Sequence, residues 1–144
     1  MKRILSILPV AILVTIGVIF AINLVCAEQV SMSKVIAYYF HGSSRCPTCH
    51  KLEQYSKEAV KTNFKDALSA GKLEFKVVNM EESGKQYYAN RYGLYSQALI
   101  LSLVKDGKEE SWENLDKIWE YVGNKEVFIS YVKDKVSGLL KEIQ

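Results

Sequence analysis

Hydrophobic and polar positions alternate with different periods along the chain, and each change of period marks an element. Val35-Ile36-Ala37-Tyr38-Tyr39-Phe40 is an unbroken β-branched and aromatic run, the pattern of a strand buried on both faces. From Leu52 the period becomes helical: Leu52, Tyr55, Ala59, Val60, Phe64, Ala67 and Leu68 recur at spacings of three, four and one. That stripe predicts one amphipathic helix ending at Ala70-Gly71, with glycine in the stop position. Leu73-Glu74-Phe75-Lys76-Val77 alternates and reads as a second strand. A β-α-β unit is complete by about Met80, with the parallel strands and right-handed crossover such units have.

Beyond it, Ser83-Gly84-Lys85-Gln86 has capping-box spacing and opens a short helix through Tyr87, Tyr88, Arg91 and Tyr92. Ala98–Val104 is a third apolar strand. Asp106-Gly107 is a hairpin signal, so a fourth strand near Glu109–Glu113 is expected to pair antiparallel with it. Leu115–Val122 is helical in pattern, and Gly123-Asn124 breaks and recaps the chain. A last helix then places Val127, Phe128, Tyr131, Val132, Val136, Leu139, Leu140 and Ile143 on one face. The order is β-α-β-α-β-β-α, an α/β fold with a four-stranded mixed sheet.

The first 27 residues follow another rule. Lys2-Arg3 precede an apolar run from Ile4 to Val25, and small residues around Val25-Cys26-Ala27 suit cleavage before Glu28. A basic start followed by an apolar core marks an export signal. The run is long for a signal and close to the roughly 20 residues that span a bilayer, so residues 4–25 form an apolar helix that anchors the chain if left uncleaved. The expected organisation is a signal peptide or N-terminal membrane anchor over 1–27, a polar linker over 28–33 and one domain over 34–144. The domain is placed outside the cytoplasm in either case, in the periplasm or at the cell exterior. Cys26 reads as a small hydrophobe within the apolar segment, since Val25 before it is bulky for a lipidation signal.

Charge adds little. Lys2 and Arg3 are two of 19 basic residues, so from Glu28 onward 17 basic face 16 acidic residues. No basic tail or patch suggests nucleic acid. The nine tyrosines and two tryptophans are expected mostly at core and half-buried positions. With three cysteines in all and Cys26 in the apolar segment, one pair remains.

That pair lies in Arg45-Cys46-Pro47-Thr48-Cys49-His50, at the junction of the first strand and the first helix. Two cysteines three apart, at a helix start in an exported protein, suit a redox-active disulfide. Only a thiolate attacks a disulfide, and a helix N-terminus favours the anion through its free N–H groups and dipole. Cys46 is therefore the expected exposed nucleophile and Cys49, one turn on, the resolving thiol. Pro47 falls where proline is tolerated in a first helical turn. Arg45 adds positive potential, and His41 or His50 is placed to move a proton.

The same residues admit other chemistry. Cys46-Pro47-Thr48-Cys49-His50 fits the attachment pattern of c-type haem, although its β-α-β setting differs from the mostly helical cytochrome domains. His41, Cys46, Cys49 and His50 supply two sulfurs and two nitrogens, a donor set for tetrahedral zinc. A non-catalytic binding module with an inert disulfide is a further alternative. The favoured expectation carries no cofactor beyond the Cys46–Cys49 disulfide.

With Cys-Pro-Thr-Cys at its first strand–helix junction, the chain resembles the thioredoxin-like superfamily over roughly residues 34–143. Tyr92-Gly93-Leu94 before the third strand and Lys105-Asp106-Gly107 at the hairpin belong to the likeness. Two departures are plain. That superfamily usually carries a cis-proline before the third strand, where this chain has Tyr95-Ser96-Gln97-Ala98. Its buried carboxylate beside the resolving cysteine has no local match either, because no acidic residue lies between Glu28 and Glu53. More narrowly, Tyr39-Phe40-His41-Gly42, Arg45-Cys46-Pro47-Thr48-Cys49 and Val78-Asn79 resemble the small thioredoxin-like family of nitrophenyl-compound nitroreductase subunits, ArsF. The resemblance implies thiol–disulfide exchange or electron transfer. The expected partner is a redox protein with thiols, a disulfide or an electron-transfer centre.

Overall fold

The computed structural model describes residues 33–143. The expected signal or anchor, Cys26 and nearly all of the 28–33 linker lie outside them. No helix among the described residues is long and apolar enough to cross a membrane.

Strand β1, Lys34–His41, is the centre of the sheet. It pairs in parallel with β2, Leu73–Asn79, and antiparallel with β3, Ala98–Lys105. Strand β4, Lys108–Asn114, pairs antiparallel with β3, so the order is β2-β1-β3-β4. The continuous apolar runs of β1 and β3 follow from this inner placement, because both of their faces are covered. Asp106 and Gly107 turn the hairpin with φ of 50° and 76°, the doubly left-handed turn that an Asp-Gly pair favours.

Side chains alternate across the sheet. Val35, Ala37 and Tyr39 point into the larger core, with Leu99, Leu101 and Leu103 beside them. Two long helices close that core: α1, Pro47–Asn63, through Leu52, Ala59 and Val60, and α5, Lys125–Lys141, through Phe128, Val132 and Val136. Phe40, Ala98 and Ile100 face the other way, under Tyr92 and Leu94. Tyr92 ends α3, Tyr87–Tyr92, and its ring lies 5.5 Å from that of Phe40. On this face Glu109 accepts from Tyr92 Oη, Ser102 Oγ (both 2.6 Å) and Arg91 Nη2 (2.7 Å). These bonds hold its carboxyl below the usual carboxylate range against the opposing effect of burial.

Four local expectations need correction. The helix expected to run to Ala70 breaks into α1 and a short α2, Lys65–Ser69. Phe64 leaves helical geometry (φ −129°, ψ 38°) and packs against the larger core, while the Asn63 amide donates to Ala59 O at 2.8 Å. Thr62 and Asn63, weak helix formers, sit at the break. The Ser83 capping box does not form. Gly84 takes φ +80°, and Gln86 Oε1 accepts from Gly84 N instead. The helix expected over Leu115–Val122 contracts to α4, Ile118–Tyr121, because Leu115 N still donates to Leu99 O and prolongs the ladder. Finally, Val127 is 43% exposed rather than on the core face; Phe128 beside it is fully buried. Asn124 caps α5 as expected, accepting from Val127 N at 3.3 Å.

Candidate functional site

Strand β1 delivers the chain to the site. After His41, residues 42–45 form a short loop, and Cys46 takes the extended N-cap position of α1 (φ −91°, ψ 166°) with Pro47 opening the helix. Cys46 is exposed, whereas Cys49 is 5% exposed. The two are joined as a disulfide with Cα atoms 5.1 Å apart, inside the range such bonds require. Cys46 Sγ also accepts from Cys49 N at 3.2 Å. The sulfur thus occupies the place of a capping oxygen, with a free helix N–H aimed at it. Cys46 O meanwhile accepts from His50 N at 3.1 Å.

The loop is pinned from β2 and the turn that follows it. Met80 N donates to His41 O at 2.8 Å, Ser43 N to Glu81 Oε2 at 3.0 Å, and Asn79 Nδ2 to Ser43 Oγ at 3.2 Å. The bonds from Ser43, and then the charge of His41, hold the Glu81 carboxyl below its ordinary range.

Beneath the pair, Tyr39 Oη donates to Cys49 O at 2.9 Å from a fully buried ring. Burial pushes the Tyr39 phenol up to about 12, with the Arg45 charge opposing that rise. Arg45 itself is ion-paired with Glu53, four residues after Cys49 on α1. The positive charge expected beside Cys46 is thereby matched by a carboxylate. His41 Nδ1 lies 2.9 Å from Gly42 O, an arrangement in which the ring nitrogen must donate. His50 is exposed in the first turn.

Cys46, Cys49, Arg45 and Pro47 therefore share the start of α1, His41 ends the strand before it, and His50 faces solvent. They do not assemble a metal centre: no group of three or more His, Cys, Asp or Glu side chains gathers as ligands among the described residues. Tyr39, Glu53 and Glu81 are the neighbours the sequence did not single out. The Cys49–Glu53 spacing of four was a visible signal for Glu53, since residues four apart share a helix face.

On the far side of the loop, the stretch before β3 comes alongside. Ala98 pairs with Phe40, which places Gln97 level with His41. Tyr95 is fully exposed there, and Trp119 Nε1 donates to Gln97 O at 3.1 Å. No cis peptide bond occurs among the described residues.

Tyr39→Phe is expected to cost about 0.5–1.5 kcal/mol of stability, the usual net value of one hydrogen bond. Its pH signature is specific. The Tyr39 phenol ionises more readily in the unfolded chain, near 10, than in the fold, near 12. It therefore contributes stability that is complete below pH 10 and is lost as pH rises through 12. Urea titrations across that window check this; the Phe variant should show a shallower alkaline decline.

The four-stranded mixed sheet, with β1 and β2 parallel and β3 and β4 antiparallel, is the one expected from the sequence. The class defined is an α/β domain with a Cys-X-X-Cys disulfide at the start of its first helix. No protein-family model matches the chain, and no curated protein matches it. Among solved structures, it is similar to one described as the structure of a malarial protein, at 16% identity and a TM-score of 0.38, covering 64% of this chain and 96% of that one. It is also similar to thioredoxin from Fasciola hepatica, at 19% identity and a TM-score of 0.36, covering 64% of this chain and 81% of that one.

Proposed function

We propose that this domain is an extracytoplasmic thiol–disulfide oxidoreductase that passes two electrons between Cys46/Cys49 and a partner protein. The observation that carries the proposal is the asymmetry of the pair. Cys46 is exposed with a helix N–H on its sulfur, and Cys49 is buried one turn behind it. Exposure with a preformed donor is what an attacking thiolate needs, and burial is what keeps a resolving thiol for internal use.

In the reducing direction, the Cys46 thiolate attacks one sulfur of a partner disulfide. A mixed disulfide forms, and the other partner sulfur leaves as a thiolate. Cys49 then gives up its proton and attacks Cys46 Sγ, closing the Cys46–Cys49 bond and releasing the second partner thiolate. Two electrons pass to the partner, and the reverse sequence oxidises a partner dithiol. The potential of the pair against its surroundings sets the direction. The narrower likeness to nitroreductase subunits favours a partner that feeds a reductase, and residues 1–27 supply export or tethering to a membrane.

Intact mass before and after reduction, with and without alkylation, tests this directly. The domain should have its plain polypeptide mass and take two alkyl groups on Cys46 and Cys49 only after reduction. A mass raised by one haem and unmoved by reductant would overturn the assignment in favour of a cytochrome.

A further inference from the structure

The sheet has two edges, and the chain treats them differently. β4 is blunted: Lys108, Glu109, Glu110 and Glu113 charge four of its seven positions, and its register against β3 shifts between Leu103 and Val104. Charges and bulges are how sheet proteins keep an edge from pairing with another chain. β2, at the opposite edge, pairs with β1 without a shift and carries one charge of each sign, Glu74 and Lys76. Its Val77 is 43% exposed.

The backbone bonds show which groups of β2 are open. Val35 N donates to Lys72 O, and Met80 N donates to His41 O. Successive residues of a strand turn their N–H and C=O to opposite sides. Glu74, Lys76 and Val78 therefore face β1, and Leu73, Phe75 and Val77 face away from the sheet. No described strand, turn or loop backbone takes these outward groups. Beside them runs an open groove of about 650 Å³, walled by Lys61 at the end of α1 and by Lys65, Leu68 and Ser69 of α2.

The order of side chains suits a copy of the same strand. An antiparallel pair joins outward-facing residues through two N–H···O bonds each. Setting Phe75 against its counterpart puts Leu73 opposite Val77 and Glu74 opposite Lys76, in both directions. The two adjacent registers are penalised, because one sets Glu74 against Glu74 and the other Lys76 against Lys76. Within one chain Glu74 already bridges Lys34 and Lys76, so the pairs across the edge continue a line of alternating charge.

We propose that the protein forms a two-fold dimer in which β2 pairs antiparallel with β2 of a second copy about Phe75, joining two four-stranded sheets into one. Glu74 and Lys76 meet across the axis at the close, non-hydrogen-bonded spacing, about 4.5 Å between Cα atoms. Val77 of each copy lies opposite Leu73 of the other, where the groove beside Leu68 leaves room for it. The two Cys46–Cys49 pairs then stand at opposite ends of the joined sheet. The dimer does not depend on their exchange role.

Sedimentation of the full chain in detergent micelles, over a range of concentrations, tests this. Wild type should associate to two chains. Glu74→Lys or Lys76→Glu alone sets like charges opposite each other at both symmetry-related pairs, and should weaken association at least about tenfold. Both side chains are partly exposed, so each variant should fold, with an unchanged circular dichroism spectrum. Mixing the two variants in equal amounts should restore the dimer, because each strand then supplies the charge that the other lacks. Glu110→Lys on β4 should leave association unchanged. A wild type that sediments as one chain throughout would overturn the proposal. So would a dimer that both single variants keep, which places the contact elsewhere, or a mixture that stays dissociated.

Discussion

Replacing Cys46 with serine should abolish exchange, and replacing Cys49 with serine should instead trap a mixed disulfide with the partner. The two outcomes differ because the cysteines occupy different places on one helix start. Cys46 lies outside with Cys49 N–H on its sulfur, so an incoming disulfide meets it first. Serine there keeps the cap, since its oxygen accepts the same N–H, but it has no thiolate to attack with. The loss should exceed a thousandfold, as for other removed nucleophiles. Cys49 is 5% exposed and its carbonyl is held by Tyr39, so its sulfur is directed to its neighbour on the chain. Without it, the adduct on Cys46 has no internal route of release. Non-reducing electrophoresis of the protein with candidate disulfide partners, followed by mass analysis of the captured species, reads both results. A Cys49→Ser chain that never accumulates an adduct would sink the mechanism, whatever the behaviour of Cys46→Ser.

Much of this arrangement was legible from pattern alone, because the strongest signals are local and periodic. The run Val35–Phe40 could be buried on both faces only as an inner strand, and β1 is inner. The Asp106-Gly107 turn names its own geometry, since few other residue pairs tolerate two successive positive φ values. Cys46-Pro47 announced a helix start, and the structure adds that the sulfur takes the capping place. The signals that misled were those in which tertiary contacts outvote a local preference. The stripe from Leu52 to Leu68 stays apolar across Phe64, so periodicity gives no sign that the helix axis breaks there. Likewise, nothing in Leu115-Asp116-Lys117 shows that Leu115 N is still committed to Leu99 O.

The surroundings of the pair were harder to see than the pair itself. Tyr39 looked like one more aromatic in a strand. Only the register of β1 under α1 brings its hydroxyl to Cys49 O. Glu81 lies 38 residues from Ser43, and their contact exists because β1 and β2 run parallel and end at the same edge. Arg45 was visible as a charge beside Cys46. Its pairing with Glu53, which matches that charge and leaves Nε buried, depends on where the loop turns. A sequence states which groups are present; the contacts that tune them cross between elements.

The larger core itself is closed by its second long helix, and Phe128→Ala should show how strongly. Phe128 is fully buried on α5, and its ring meets the edge of Tyr55 on α1 with centroids 5.5 Å apart. It fills the space between the two long helices and the sheet, where removing a benzyl group takes away the transfer free energy and leaves a cavity. Substitutions of this kind cost about 3–5 kcal/mol, against the roughly 5–15 kcal/mol that holds a domain folded. The urea midpoint should therefore fall steeply while its slope stays constant. Val127→Ala, one position away but 43% exposed, should move the midpoint little. Phe128 lies in the core behind α1, away from the exposed Cys46, so the folded fraction of the variant should keep the wild-type rate of Cys46 alkylation. A loss below about 1 kcal/mol, smaller than core truncations produce, would show that α5 does not close the core. A changed alkylation rate in the folded fraction would show instead that α5 sets the position of α1, and that the pair is tuned from behind the helix as well as from its end.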